Sequence, residues 1–97
     1  MFILITYDVN VTTTQGRKRL RNIAKTCLDY GIRVQNSVFE CELGPDQWVP
    51  FKAQLLSIYD SNYDSLRFYM LGKKGRSKVE HYGSKVNIDP VRDALIL

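Results

Sequence analysis

The sequence predicts an α+β domain, and three features of the chain favour this class. Runs rich in apolar, β-branched and aromatic residues occur at 2–7, 32–43 and 66–71, and such runs are typical of strands. The two segments between them carry apolar residues at helical spacing. The chain has 97 residues, of which 44 % are hydrophobic and 25 % charged, as expected for one small folded domain with a modest core.

The first strand is predicted at residues 2–7, whose almost uninterrupted apolar character suits a strand buried on both faces. Asp8 closes the run, and a polar loop follows. The run has no basic leader and is shorter than the core of a signal peptide. We therefore expect no export, no membrane span and a cytoplasmic location.

The first helix is predicted from Gln15 to Tyr30, preceded by the threonine hydroxyls of 12–14 that can cap its first turn. Gly31 is expected to end the helix as its C′ residue. One face carries an apolar stripe at the spacing i, i+3, i+4, i+7 and i+8, formed by Leu20, Ile23, Ala24, Cys27 and Leu28.

Residues 32–43 alternate between two faces, as a strand does. Val38, Glu40 and Glu42 share one face, and the opposite face carries Ser37, Phe39, Cys41 and Leu43. The polar pair at 35–36 interrupts the pattern. The segment is therefore either two short strands or one strand with a bulge.

A second helix is predicted to open at residues 44–46, with a buried face formed by Trp48, Phe51, Leu55 and Ile58 or Tyr59. Pro50 removes one backbone hydrogen bond unless it lies in the first turn. A strand at 66–71, a basic glycine-bearing loop at 72–78 and a short strand at 79–82 follow.

This order of elements predicts a single ferredoxin-like βαββαβ domain over residues 1–97, with an additional short C-terminal strand. Both helices would cover one face of an antiparallel sheet. The other face, and an apolar tail at 83–97, would then need a partner. We expect a homodimer, with the tail packing on the partner subunit, because a two-fold axis pairs identical exposed patches.

Asp8 is a candidate metal ligand because it lies where the first strand leaves the core. The alternative is an ordinary turn aspartate that accepts hydrogen bonds from its own backbone. One carboxylate is also a poor Mg²⁺ site. In a homodimer whose axis passes near Asp8, two copies would offer two carboxylates to one Mg²⁺ or Mn²⁺, and a metal there could activate water against a phosphodiester. Asp8 is then both the metal ligand and the catalytic residue.

The net charge of +4 favours polyanionic partners. The first helix has no acidic residue between Val9 and Leu28, whereas a solvated helix usually mixes charges of both signs. No motif for base readout is present, so we expect contacts to the backbone of DNA or RNA. The predicted contact residues are Arg17, Lys18, Arg19, Arg21 and Arg33, with Lys73, Lys74, Arg76 and Lys78 in the later basic segment.

Tyr7, Ser37 and Phe39 are further candidates for supporting roles. Tyr7 points away from Asp8 and is expected to pack. Phe39 could stack on a base, but alternation favours packing. Ser37 has no base at a recognisable spacing, so a covalent mechanism is not expected.

The remaining reactive side chains are expected to be structural: His81, and the buried free thiols of Cys27 and Cys41.

Four segments together match one known pattern: ILITYDV at 3–9, GRKRLRNIAKTCLDYG at 16–31, RVQNSVFECEL at 33–43 and SLRFYMLG at 65–72. On these segments the chain resembles the second CRISPR-associated protein family, the small subunit of the spacer-acquisition machinery. The resemblance covers nearly the whole chain. The combination of YD at a strand end with RVQxSVFE after a basic helix is its most specific part.

The resemblance implies a ferredoxin-like homodimer with metal-dependent endonuclease activity on RNA or DNA. It also implies a central place between two integrase dimers of the first CRISPR-associated family. It assigns the Mg²⁺ ligand to Asp8 and implicates Tyr7, Arg17, Arg19, Arg33 and Phe39.

Two interpretations follow from this resemblance. In the first, the dimer is an enzyme whose paired Asp8 residues bind Mg²⁺. In the second, it is a non-catalytic scaffold that binds DNA, and the integrase carries out the catalysis. A third, a ligand-binding regulatory domain, has no glycine-rich phosphate loop or polar cluster in its favour.

Overall fold

The structure, a computed structural model, describes residues 1–72 and 77–84. The described residues form five strands and two helices. In chain order they are β1 (Phe2–Asp8), α1 (Thr14–Tyr30), β2 (Gly31–Gln35), β3 (Val38–Glu42), α2 (Pro45–Ile58), β4 (Ser65–Leu71) and β5 (Ser77–Gly83). The strands form one sheet in the order β2-β3-β1-β4-β5, and all its pairings are antiparallel. This confirms the predicted ferredoxin-like fold with one additional strand.

The main core lies between one face of the sheet and the two helices. Alternate residues of β1, β3 and β4 supply the sheet side, and α1 and α2 supply the helical side. The fully buried aromatic rings of this core are Phe39, Phe51 and Phe68. Leu4, Val38 and Tyr69 form a second buried cluster, and strand alternation places them on the opposite face of the sheet.

The helix boundaries follow from capping. Thr13 is the N-cap of α1, and its hydroxyl accepts a hydrogen bond from the Gly16 N–H at 3.0 Å. Gly44 precedes α2, and its N–H donates to the Gln47 side chain at 3.0 Å. Since α2 begins at Pro45, Pro50 lies inside the helix rather than in its first turn.

Two details of the predicted α1 are wrong. Leu28 is 53 % exposed, so the buried stripe ends at Cys27. Gly31 caps the helix with extended backbone at φ −157°, not as a left-handed C′ residue. A glycine is required there for space, because a Cβ atom would lie 2.2 Å from the carbonyl oxygen of Glu40 on β3.

The interrupted segment resolves into two strands. β2 and β3 form a hairpin whose turn contains Asn36 and Ser37, and the register shifts between Arg33 and Gln35. The alternation predicted for β3 is confirmed, since Phe39 and Cys41 enter the main core while Val38 belongs to the opposite face.

The predicted tail at 83–97 lies outside the described residues from residue 85 onward, as do residues 73–76 of the basic loop predicted at 72–78. The end of that predicted loop is wrong, because Ser77 and Lys78 pair with β4 as the start of β5. In the part of the chain that is described, neither helix is long and apolar enough to cross a membrane.

Candidate functional site

Asp8 lies at one end of the sheet, where several connections meet. It is the last residue of β1, it is exposed, and it pairs with Ser65, the first residue of β4. The neighbouring Tyr7 N–H donates to the Ser37 carbonyl at 3.2 Å, which brings the β2–β3 turn to the same end. The loop from β1 into α1 also starts here.

Tyr7 faces the helices, on the opposite side of β1 from Asp8. It is 4 % exposed, its ring centroid is 6.0 Å from that of Phe39, and its hydroxyl donates to the Asn36 carbonyl at 3.3 Å. Burial raises the pKa of Tyr7 and outweighs the opposing effect of the nearby Arg33. Tyr7 is therefore a neutral packing residue, as its place on the strand predicts.

Phe39 is fully buried, so its ring is not available for stacking on a base. Its exposed neighbour is Arg33, whose guanidinium carbon lies 5.2 Å from the ring centroid. Ser37 lies in the adjacent turn. The structure thus brings Tyr7, Arg33, Ser37 and Phe39 together at the hairpin beside the end of β1.

The predicted cationic face of α1 is exposed over most of its length. The side chains at the surface are those of Arg17, Lys18, Arg21 and Lys25. Arg17 bends back toward the loop that follows β1, where it donates to the Val11 carbonyl at 3.3 Å and to the Thr14 hydroxyl at 3.2 Å. Positive charge therefore extends from α1 to the loop that follows Asp8.

Arg19 differs from the other helix cations because it points inward. Its Nε lies 2.7 Å from Oδ2 of Asp64, and the Arg19 and Asp64 side chains are 19 % and 0 % exposed. Burial opposes ionisation of Asp64, but hydrogen bonds from Arg19 and from the N–H groups of Asp60 and Asn10 hold its pKa below the usual value. Contact of Arg19 with nucleic acid stays a prediction, whereas its ion pair is a structural role that sequence reasoning missed.

The helical spacing does contain a signal for this pair. Arg19 lies three residues after the buried Gly16 and four before the buried Ile23, so it shares their side of α1. Asp64 has no such local signal, because it lies 45 residues away along the chain.

Lys78 is the one member of the second basic cluster within the described residues, and it is exposed. It pairs with Met70, whereas Asp8 pairs with Ser65 and Ser65 with Gly83. Lys78 is five residues from Gly83 along β5, or about 17 Å at the usual rise of a strand. Lys73, Lys74 and Arg76 lie outside the described residues.

A single chain does not assemble a metal site from the described residues: in 1–72 and 77–84, no group of three His, Cys, Asp or Glu side chains could hold an ion.

Cys27 and Cys41 are buried and free, and burial raises their pKa values to about 12 and about 11, so both are unreactive thiols. His81 accepts a hydrogen bond from Arg67 at 3.1 Å, and burial lowers its pKa.

These features define a ferredoxin-like α+β protein with an exposed aspartate at a strand end beside a cationic helix. The family model described as "CRISPR associated protein Cas2" matches residues 1–79. The chain belongs to this family.

Similar proteins agree with this membership. The "CRISPR-associated endoribonuclease Cas2" of Chlorobaculum tepidum is 56 % identical over 85 residues, which cover 88 % of each chain. The "CRISPR-associated endonuclease Cas2" of Halalkalibacterium halodurans is 51 % identical over 96 residues, which cover 99 % of each. The crystal structure of Streptococcus pyogenes Cas2 at pH 6.5 superposes with a TM-score of 0.70 and 59 % identity, over 75 % of this chain and 88 % of that one.

Proposed function

We propose that this protein is a homodimeric, metal-dependent endonuclease of CRISPR adaptation that hydrolyses phosphodiester bonds in single-stranded RNA or duplex DNA. The observation that carries the proposal is the exposed Asp8 at the end of β1 in a chain of the Cas2 family. Relatives that are 51–56 % identical bear the names endonuclease and endoribonuclease.

The site requires two chains. Carboxylate oxygens are ligands that Mg²⁺ accepts, but Mg²⁺ needs one or two carboxylates together with water and phosphate oxygens. Among the described residues of one chain, Asp8 belongs to no group of three His, Cys, Asp or Glu side chains that could hold an ion. Two Asp8 residues related by a two-fold axis would supply both carboxylates for Mg²⁺ or Mn²⁺.

The open face of the sheet supports dimerisation. By strand register it carries Phe2, Ile32, Leu71 and Val79, which are 38 %, 71 %, 41 % and 47 % exposed. Exposed apolar side chains on one surface are typical of an interface. A symmetric dimer would cover the same patch on both chains.

In this mechanism the residues of the chain have three roles: binding the metal, binding the phosphates of the substrate and supporting the end of β1. The two Asp8 carboxylates would hold the metal, and a metal bound there would supply a lowered pKa of water and positive charge beside the phosphate. The exposed cations of α1 hold neighbouring phosphates of the substrate. Tyr7 and Phe39 pack beneath the strand end and keep the Asp8 backbone in place.

A nuclease assay tests the proposal. Wild type, Asp8→Asn and the control Asp29→Asn are incubated with labelled single-stranded RNA and duplex DNA, in Mg²⁺ and in EDTA. Asp29 is an exposed aspartate in the last turn of α1, so its variant removes the same charge elsewhere. We expect cleavage by wild type and Asp29→Asn in Mg²⁺, and none by Asp8→Asn or in EDTA. Cleavage by Asp8→Asn at the wild-type rate would contradict the proposal.

The second candidate is a non-catalytic scaffold that binds DNA between integrase dimers of the first CRISPR-associated family. The lack of a preformed ligand group in the described part of one chain, together with the cationic surface of α1, favours it. The same variants decide between the two. A scaffold would bind duplex DNA with wild-type affinity after Asp8→Asn and would cleave neither substrate before or after the change.

A further inference from the structure

Asp64 is a fully buried carboxylate that the proposed chemistry does not use. Its Oδ1 accepts hydrogen bonds from the Asn10 N–H at 3.0 Å and from Arg19 Nη2 at 3.3 Å. Its Oδ2 accepts from Arg19 Nε at 2.7 Å and from the Asp60 N–H at 2.9 Å. An ionised carboxylate has about four acceptor sites, so these donors occupy its full capacity.

The backbone of residue 64 is held as firmly as its side chain. Its N–H donates to the Asp60 carbonyl at 2.8 Å, and its own carbonyl accepts from the Ser84 N–H at 3.2 Å. Gly83 has φ +110°, and a Cβ atom there would lie 2.1 Å from the Asp64 carbonyl oxygen. The end of β5 therefore packs directly on Asp64.

These contacts lie beside Asp8, on the neighbouring strand, and after it in the chain. Asp64 immediately precedes Ser65, the residue that pairs with Asp8 in the sheet. Its carboxylate also binds the N–H of Asn10, two residues after Asp8. The Asn10 carbonyl is enclosed in turn by α1, since a Cβ on Gly16 would lie 1.9 Å from it. The strand end is thus held at Asp8 by pairing with Ser65 and after Asp8 by the bond to Asn10.

We propose that Asp64, held by Arg19, is a positioning residue that fixes the backbone on which Asp8 meets the metal and the phosphate. This inference rests on the proposed nuclease function. Asp64→Asn preserves the shape of the side chain but replaces one oxygen by an NH₂ group, which would face an N–H donor. Each oxygen accepts from two donors, one of them Arg19, so either orientation of the amide leaves two of the four donors without an acceptor. The ion pair with Arg19 is lost in both orientations, which weakens the attachment of the loop after Asp8.

The test compares Asp64→Asn with a matched control, Glu80→Gln. Glu80 also forms an ion pair with a helix cation, Lys52 on α2. Its cross-strand partner is Phe68 in the middle of β4, away from the end of that strand that lies beside Asp8. For each protein we measure thermal unfolding, the Mg²⁺ concentration for half-maximal cleavage, and hydrogen exchange of the backbone amides at 9–13.

We expect Asp64→Asn to raise the Mg²⁺ requirement by about 10–100-fold, the usual effect of losing a residue that orients a metal ligand, at a temperature where it is folded. Exchange at 9–13 should accelerate in the same variant. Glu80→Gln should leave both quantities within about threefold of wild type, since it lies outside this network.

The two measurements separate this inference from the proposed function. If wild type cleaves and Asp64→Asn has the wild-type Mg²⁺ requirement, positioning by Asp64 is wrong while the nuclease assignment stands. If wild type does not cleave, the nuclease assignment fails, and unchanged exchange at 9–13 would overturn positioning as well. Faster exchange there would retain Asp64 as the anchor of this strand end.

A second variant covers the case in which Asp64→Asn does not fold. Arg19→Lys retains the positive charge beside Asp64 but lacks the two donors that bind both carboxylate oxygens. It should change the Mg²⁺ requirement and the exchange at 9–13 in the same direction by a smaller factor. Wild-type values of both in a folded Arg19→Lys protein would overturn the proposal.

Discussion

Replacing Phe39 tests whether this aromatic residue packs the core or contacts nucleic acid. Its ring is fully buried between the sheet and the helices. Phe39→Ala removes a ring whose volume the neighbouring side chains cannot refill, so the free energy of unfolding should fall by about 3–5 kcal/mol. At about 4–8 °C per kcal/mol for a domain of this size, Tm should fall by at least about 12 °C.

Phe39→Leu is the informative companion. It keeps most of the apolar volume, should cost about 1–2 kcal/mol, and leaves a folded protein. Since the wild-type ring is not exposed, affinity for a labelled duplex or single strand should be unchanged in Phe39→Leu.

Circular dichroism measures Tm at one fixed protein concentration, because the stability of the proposed dimer would depend on concentration. Fluorescence anisotropy measures binding. A stacking contact contributes about 1–3 kcal/mol per base, so a loss of affinity of tenfold or more in folded Phe39→Leu would refute the packing assignment. A wild-type Tm for Phe39→Ala would refute it as well.

Three further predictions follow from the structure. Gly31→Ala should lower the urea midpoint, because its Cβ would lie 2.2 Å from the Glu40 carbonyl oxygen; an unchanged midpoint would show that β2 can shift at no cost. The free energy of unfolding should fall as the pH drops from about 5 toward 3, because the ion pairs of Asp64 and Glu80 hold the pKa values of these carboxyls in the folded protein below the unfolded values near 4. This contribution to stability is fully present above the unfolded pKa values and is lost as the pH falls through the folded ones. Equal urea midpoints at pH 6 and pH 3 would contradict the prediction. Affinity for duplex DNA should fall by about 0.9 log units per log unit of salt for each phosphate contacted. Replacing Arg17, Lys18 and Arg21 by Gln should weaken binding to all sequences alike and reduce the slope of this salt dependence. A flat salt dependence, or a loss of affinity for some sequences only, would refute binding through the phosphate backbone.

Much of the fold could be predicted because local patterns determine it. Alternation in β3 and helical spacing in α2 identified the buried residues correctly, including Phe39 and Trp48. Leu28 was misplaced because periodicity shows which residues share a face but not how wide a strip the sheet covers. The sequence places Gly31 correctly at the end of α1, but the glycine is needed for space beside Glu40 on β3 and not for a left-handed backbone. That contact involves a strand later in the chain, so the local pattern does not reveal it.

The candidate site was less accessible to sequence reasoning. Asp8 could be selected because a carboxylate at the end of a buried strand is a local feature. The pairing of Arg19 with Asp64 could not, because the two residues are 45 positions apart and meet only when β4 joins the sheet beside β1. A count of the charges on α1 suggests that Arg19 is one more surface cation, whereas its ion pair with Asp64, the residue before β4, makes it part of the proposed support for Asp8.

The spacing of the predicted contacts sets a requirement on any polyanion that binds this protein. Asp8 and Arg17 lie near the end of the sheet where β1 passes into α1, whereas Lys78 lies about 17 Å away along the strands. Phosphates on one strand of duplex DNA follow one another every 3.4 Å of axis, so about five phosphates separate the two positions. One mononucleotide cannot contact both. A ligand that uses both groups of predicted cations on a single chain must therefore be an extended polyanion, as the proposed nucleic acid is. Its binding should persist when Asp8 is changed, because the predicted contacts are made by the cations.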